Sequence, residues 1–335
     1  MKTTKLLTLF FVLIFTTTSC NTKRYYKVAG YTQGTTYHIT YQGTKDYESA
    51  INELLHRFDM SLSTYVDSSI ISRINKNKKD VKTDKLFKQF FKKSREVYEA
   101  SGGFFDITVA PLVNAYGFGF TNEENVDSLL IDSIMGFIGM DKVSLKNGKV
   151  IKSDPRVMLD GNAIAQGQSV DYIADFLEEE GVTNYLVEIG GEIAAIGVND
   201  RGESWRVGID KPIVDSDEVS RELQAIISLK NRALATSGNY RKFYVKDGVK
   251  YGHTINPKTG KPAMQTILSA TILADDCITA DAYATACMVV GLEGAKKLLT
   301  KLPELDAYLI YTNPEDGSYQ IFMTDGIKDM LEELD

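Results

Sequence analysis

From Tyr185 to Ala274 the chain passes through YLVEI, IAAIGV, WRVGI, LQAIISL, ALATS, FYV and ILSATILA, a succession of short apolar and β-branched segments. The gaps between them are short, so neighbouring segments are expected to pair as hairpins within a largely antiparallel or mixed sheet. Helical periodicity is gathered elsewhere, over about 46 to 60, 67 to 75, 84 to 101 and 163 to 181, with a helix pair over about 277 to 301. A strand pair is expected over 25 to 42, and two strands and a C-terminal helix after residue 301. Strands and helices segregate more than they alternate, which makes the fold class α+β, with mixed or largely antiparallel sheets flanked by helices.

Local signals refine this reading. Gly102-Gly103 stops a helix, Phe104 to Val109 reads as a short extended piece, and Pro111 can open the helix PLVNAYGF. Between 163 and 181, Ile164, Val170, Ile173, Ala174 and Leu177 share one helical face, and Gly181 ends it.

Residues 1–20 stand apart from the fold. Lys2 and Lys5, the apolar run Leu6 to Phe15 and small residues ending in Ser19-Cys20 form the pattern of a cleaved export signal, too short to span a bilayer. Cys20 after small residues marks a bacterial lipobox in which that cysteine becomes the lipidated N-terminus. Thr17-Thr18-Ser19 lacks the customary leucine three residues before the cysteine, and a plain cleaved signal peptide is the alternative. Residues 21–335 contain no Pro/Ser-rich linker, long charge run or short repeat, so they are read as one domain.

The net charge of −7 argues against nucleic acid as a partner. It also means that a diphosphate ligand needs local neutralisation, most simply by a metal ion. Cys277 and Cys287 invite a disulfide in an exported protein, but Cys287 falls on an apolar helix face, where a free thiol behaves as a small hydrophobe.

Reactive and turn-forming residues concentrate between Ala235 and Pro262, in ATSGNYRKFYVKDGVKYGHTINPKTGKP. RKFYV and KYGHTI flank the turn Lys246-Asp247-Gly248, which puts His253 at a strand end beside a Pro/Gly loop. That histidine is either a catalytic group on a rigid loop or a structural one in a hairpin. Asp281 and Thr285, four residues apart on a helix, project from one face and form an oxygen pair suited to a hard cation, or else a solvated polar stripe. In DGNAIAQG, Asp160 and the small residues after it lie where a strand enters a helix; they favour either phosphate approach to backbone amides or a simple helix cap. Tyr65 offers a ring for stacking or for the core, and Phe104 and Phe105 invite the same pair of readings.

TSGNYR followed by HTINPKTGKP resembles the signature of the ApbE family, lipoprotein FAD:protein FMN transferases. The likeness continues in QGTTY, LSTYVDSSIISRIN, GGFFDITVAPLVNAYGFG, LDGNAIAQGQSVD, IGGE and ADAYATACMVVG, and spans nearly all of the chain after the signal. It implies an ApbE-like fold and a magnesium ion held by Asp281, Thr285 and the backbone carbonyl of Ala163. It also implies FAD contacts from Gln33, Tyr65, Phe104, Phe105, Asp106, Asp160, Gln166 and Ile255, with His253 taking a proton in catalysis. Tyrosine at position 65 points toward transfer over hydrolysis. Two positions depart from the pattern: Gln166 replaces the family's lysine, and Asn256 its aspartate. The resemblance implies magnesium-dependent transfer of FMN from FAD to a Thr or Ser hydroxyl of an exported acceptor, with AMP leaving. The alternatives are an FAD pyrophosphatase and a non-catalytic FAD-binding lipoprotein. Expected partners are FAD, flavoprotein subunits of respiratory electron-transport complexes, and a membrane reached through the lipid on Cys20 at the periplasmic side of the bacterial envelope.

Overall fold

The computed structural model describes residues 23–119, 126–212, 222–238, 243–246, 249–252, 254–263, 267–313 and 315–334. The chain opens with the hairpin β1 (Arg24–Thr32) and β2 (Thr35–Gly43), whose turn is Gln33-Gly34 with φ of 51° and 77°. Two consecutive positive φ values match the right-handed twist of the flanking strands. Then come α1 (Glu48–Leu62), α2 (Ile70–Asn75), α3 (Lys85–Ala100), α4 (Ala110–Ala115) and α5 (Ser128–Met135). Asp84 caps α3 by accepting from the Phe87 N–H at 2.8 Å, a contact worth about 1 kcal/mol. Pro111 sits in the first turn of α4, where its missing N–H costs nothing.

The second half begins with the hairpin β3 (Val143–Lys146) and β4 (Lys149–Lys152), followed by α6 (Ala165–Glu179), β5 (Tyr185–Ile189), β6 (Glu192–Ile196), β7 (Trp205–Asp210), β8 (Leu223–Leu229) and β9 (Arg232–Gly238). Two small hairpins follow, β10 (Phe243–Lys246) with β11 (Val249–Gly252) and β12 (Ile255–Asn256) with β13 (Lys261–Pro262). The chain closes with β14 (Ile267–Ala274), α7 (Cys277–Thr300), β15 (Asp306–Thr312), β16 (Tyr319–Met323), α8 (Asp325–Lys328) and β17 (Leu331–Glu333).

The main sheet has eight strands in the order β1-β2-β5-β6-β9-β14-β15-β16, and every neighbouring pair is antiparallel. The fold is α+β, as the segregation of strands and helices implied. Alternation along each strand divides the core between the two faces. Ala235, Ala270, Ile272 and Ala274 pack with the α3 and α7 side chains, whereas Leu234, Leu273, Tyr308 and Ile310 pack against a three-stranded sheet of order β17-β8-β7. α1 and α6 cover β2 and β5 through Ile51, Leu55, Val170, Ile173 and Leu177. All five apolar residues expected on one face of α6 are buried, and Gly181 ends that helix at φ 78°.

α7 is a helix pair broken at Gly291, whose φ of 70° is outside helical geometry. Its first half is rich in alanine: Ala280, Ala282, Ala284 and Ala286 are fully buried. Gly167 of α6 lies against it so closely that an added Cβ would stand 2.7 Å from the Asp281 Cβ. Cys277 and Cys287 are both free and buried. Among the described residues no helix is long and apolar enough to cross a membrane.

Several local expectations are corrected. Phe104 to Val109 is a chain of turns, because Thr108 bonds back to Asp106 and leaves only an isolated parallel bridge from Val109 to Met158. No strand enters α6: beyond that same bridge at Met158, the segment before the helix is a turn. The C-terminal helix is the four-residue α8, and the chain ends in β17, which gains ladder bonds by pairing with β8. The hairpin β3–β4 and helix α5 were not anticipated, although Asn147-Gly148, with φ of 50° and 71°, is a strong hairpin signal.

Candidate active site

One face of the alanine-rich half of α7, the start of α6, the β1–β2 turn and the loops after α1 and α3 enclose a cavity of about 890 Å³. That volume falls in the range of small-molecule sites. Gln33, Tyr65, Phe104, Phe105, Asp106, Asp160, Ala163, Gln166, Ile255, Asp281 and Thr285 all line it, though they come from segments far apart in the chain. Cys20 and His253 lie outside the described residues.

Asp281 and Thr285 form the floor. Helical spacing puts both on one face of α7, and the close approach at Gly167 brings that residue's N–H to donate to Asp281 Oδ2 at 2.9 Å. Burial pushes the Asp281 carboxyl up to about 7. Thr285 Oγ1 lies 3.2 Å from the Ser237 hydroxyl at the end of β9. Ala163 lines the cavity in the turn before α6.

Glu192 lines the same floor and is not a residue that sequence reasoning singled out. It opens β6 after Gly190 and Gly191, whose φ values are 67° and 110°. Its side chain is 8% exposed, and Oε2 has no hydrogen-bond partner among the described residues. Burial first, and then the charge of Asp281, raise its pKa well above the ordinary range. Its signal was present in the segment IGGE, where a carboxylate directly follows paired glycines at the mouth of a strand. Ser237 was missed in the same way, within TSGNYR.

The walls resolve several open readings. Phe105 is 2% exposed and belongs to the core, while Phe104 is half-buried at the cavity. Asp106 Oδ1 accepts from the Thr108 N–H at 2.8 Å and the Thr108 hydroxyl at 2.6 Å, which holds the loop in its turn. Burial raises the Asp106 pKa, and those hydrogen bonds oppose it. Asp160 does not cap α6, whose first turn has no side-chain cap. It accepts instead from the Asn162 N–H at 2.8 Å, and burial raises its pKa. Tyr65 borders the cavity and is 67% exposed.

Gln33 and Gln166 lie on the side of the β1–β2 turn. Gln33 Oε1 accepts from the Ser169 hydroxyl at 3.4 Å, which leaves Nε2 buried and without a partner among the described residues. The Gln166 amide occupies the space beside Gly190 that a side chain there would fill. Asp59, also unanticipated, contributes a buried Oδ1 without a partner among those residues.

The described residues that line the cavity include the carboxylates of Asp59, Asp106, Asp160, Glu192 and Asp281 and no Lys or Arg. This described lining disfavours a bare anionic ligand and favours one that arrives with a cation.

This fold and cavity put the chain in the structural class of the flavin transferases. The flavin transferase ApbE from Vibrio cholerae superposes with a TM-score of 0.81 at 32% identity, over 92% of this chain and 99% of that one. The Pseudomonas stutzeri flavinyl transferase ApbE in its apo form gives 0.80 at 27% identity, over 92% and 97%. The sequence profile of the ApbE family matches residues 33–309, and the chain belongs to that family. Among its relatives, the FAD:protein FMN transferase of Vibrio cholerae serotype O1 is 37% identical over 280 residues, 79% of this chain and 81% of that protein. The enzyme of the same name from Haemophilus influenzae is 33% identical over 300 residues, 84% and 85% of the two chains.

Proposed function

We propose that this chain transfers FMN from FAD to a Thr or Ser hydroxyl of an exported acceptor protein and releases AMP. The observation that carries the reading is the convergence in one cavity of every flavin- and metal-assigned residue that lies among the described residues. The acceptor oxygen bonds to the FMN-side phosphorus, the bond from that phosphorus to the bridging oxygen of the diphosphate breaks, and AMP departs with the bridging oxygen.

The donor set fits a magnesium ion. Asp281, Thr285 and the Ala163 carbonyl are hard oxygen donors, and an ion there also relieves the unpartnered Glu192 Oε2 beside Asp281. When bound, magnesium offsets the charge that develops on the transferring phosphoryl group. The protein's own groups bind and orient. Tyr65 and Phe104 offer rings to the heterocycles, Gln33 Nε2 offers a donor, and Gln166 offers a neutral hydrogen-bonding group where the family pattern has a lysine. His253 takes the acceptor hydroxyl proton, a general-base role that an imidazole can fill.

The same reading places the mature chain on the periplasmic side of the envelope, anchored by lipid on Cys20, with flavoprotein subunits of respiratory electron-transport complexes as acceptors. Cys20→Ser tests the anchor: the variant is expected in the soluble fraction, and continued membrane fractionation refutes lipidation.

The test of function is incubation of the protein with FAD, magnesium and a candidate acceptor domain, with acceptor mass and AMP read together. A mass gain equal to FMN, abolished by EDTA and by Asp281→Ala, supports the transferase. AMP with free FMN and an unmodified acceptor identifies a pyrophosphatase, and bound FAD without turnover identifies a carrier.

A further inference from the structure

We propose that Glu192 supplies a second carboxylate to the cation held by Asp281 and Thr285. The inference rests on the functional reading above and extends it to a residue outside the ligand set expected from sequence.

Three observations converge on this residue. Glu192 is more than nine-tenths buried, and its Oε2 has no hydrogen-bond partner among the described residues. A buried carboxyl group without a partner is costly, so its presence calls for a positive group that the described residues do not provide. Glu192 lines the cavity together with Asp281 and Thr285, and no Lys or Arg is found among the described lining residues. The rest of β6 is apolar and buried at Ile193, Ala194 and Ala195, so the strand turns its one acidic residue into the cavity and keeps the others in the core.

The backbone fixes that placement. Gly190 and Gly191 make the β5–β6 turn at positive φ, and the ladder pair Ile189 with Glu192 closes it, so Glu192 is held by strand geometry and not by a free loop. Asp281 is held by the Gly167 N–H. Two carboxylates on two rigid elements, with a hydroxyl from Thr285, make an oxygen-rich half-shell that leaves positions open for phosphate oxygens. A second carboxylate also offsets what the chain lacks at Gln166: with a neutral amide there, neutralisation of a diphosphate falls to the cation, and the second carboxylate strengthens the hold on that cation.

Mn2+ serves as the probe, with binding to the full chain in detergent followed by loss of the free-ion EPR signal, with and without FAD. Wild type, Glu192→Gln, Glu192→Asp and Asp281→Asn are compared, together with their melting temperatures in EDTA. The expected result is Mn2+ binding weakened by about tenfold or more in both Glu192 variants and lost in Asp281→Asn. Glu192→Gln should also melt higher than wild type in EDTA, because it removes a buried ionisable group whose Oε2 has no partner among the described residues, and should gain less from added Mn2+. Wild-type affinity in Glu192→Gln and Glu192→Asp, with binding lost in Asp281→Asn, overturns the role of Glu192 and leaves the cation site standing. Absence of Mn2+ binding to wild type, or its persistence in Asp281→Asn, overturns the cation site and Glu192 with it.

Discussion

The main-chain N–H of Gly167 donates a 2.9 Å hydrogen bond to Asp281 Oδ2, joining the first turn of α6 to the carboxylate that forms the cavity floor. The bond exists because position 167 has no side chain. A Cβ there would overlap the Cys277 carbonyl and stand 2.7 Å from the Asp281 Cβ. Helix spacing and the orientation of a site carboxylate are thus set by one glycine.

Gly167→Ala is therefore expected to push α6 and α7 apart. Overpacking of this kind costs about 1–3 kcal/mol, which urea denaturation would read as a lower midpoint. Cation affinity should fall with it, since Asp281 loses its fixed partner. An unchanged midpoint would show that the two helices yield without cost.

Asp171 of α6 provides a pH signature. Its carboxylate accepts from the Cys277 and Ile278 N–H groups, both at 2.8 Å, at the start of α7. Burial, then Asp276 and Asp175, outweigh those bonds and push its pKa up to about 8. The unfolded chain titrates this group near about 3.9, so between the two values the folded state holds the extra proton. Stability contributed by Asp171 is full below about pH 4, declines as pH rises toward 8 and is lost above it. Melting temperature against pH should show that decline, and Asp171→Asn should flatten it.

Tyr65→Ala should separate binding from stability. The ring is 67% exposed, so its removal should change stability by no more than about 0.5 kcal/mol. Loss of a stacking face worth about 1 kcal/mol should weaken FAD binding roughly fivefold, measurable by fluorescence titration. Unchanged FAD affinity would remove Tyr65 from the ligand contacts.

Gln166→Lys restores a cation to a cavity whose described lining has carboxylates and no Lys or Arg. A charge-assisted bond is roughly twice as strong as a neutral one, so FAD should bind several-fold more tightly. Magnesium dependence of FAD binding should become shallower, as the side chain takes part of the neutralising role. Equal affinity in the two forms would mean that position 166 does not reach the phosphates.

Much of the architecture was legible because it follows from local periodicity. The strand run from Tyr185 to Ala274, the apolar face of α6, and the shared face of Asp281 and Thr285 are consequences of repeats of two and of about four residues. The residues of the FAD-like signature segments were legible too, as side chains of the right chemistry. What could not be read was which oxygens end without partners. Glu192 within IGGE and Ser237 at the end of ALATS carried no assigned role until β6, β9 and α7 were brought together.

The failures have the same origin. Phe104 and Phe105 are adjacent and chemically identical and both border the cavity, yet Phe104 is half-buried while Phe105 is almost fully buried and packs in the core, a difference their shared sequence context does not encode. The last residues form β17 instead of prolonging α8, because β8 offers unpaired backbone groups that a helix would leave unsatisfied. Sequence alone determined the α+β class, the strand run from Tyr185 to Ala274 and the oxygen-rich chemistry available to the site, since these depend on near neighbours in the chain. Tertiary structure alone decided that Gln33, Tyr65, Asp160, Glu192 and Asp281 share one cavity and that its described lining carries no Lys or Arg, because burial and charge are properties of what surrounds a residue in space.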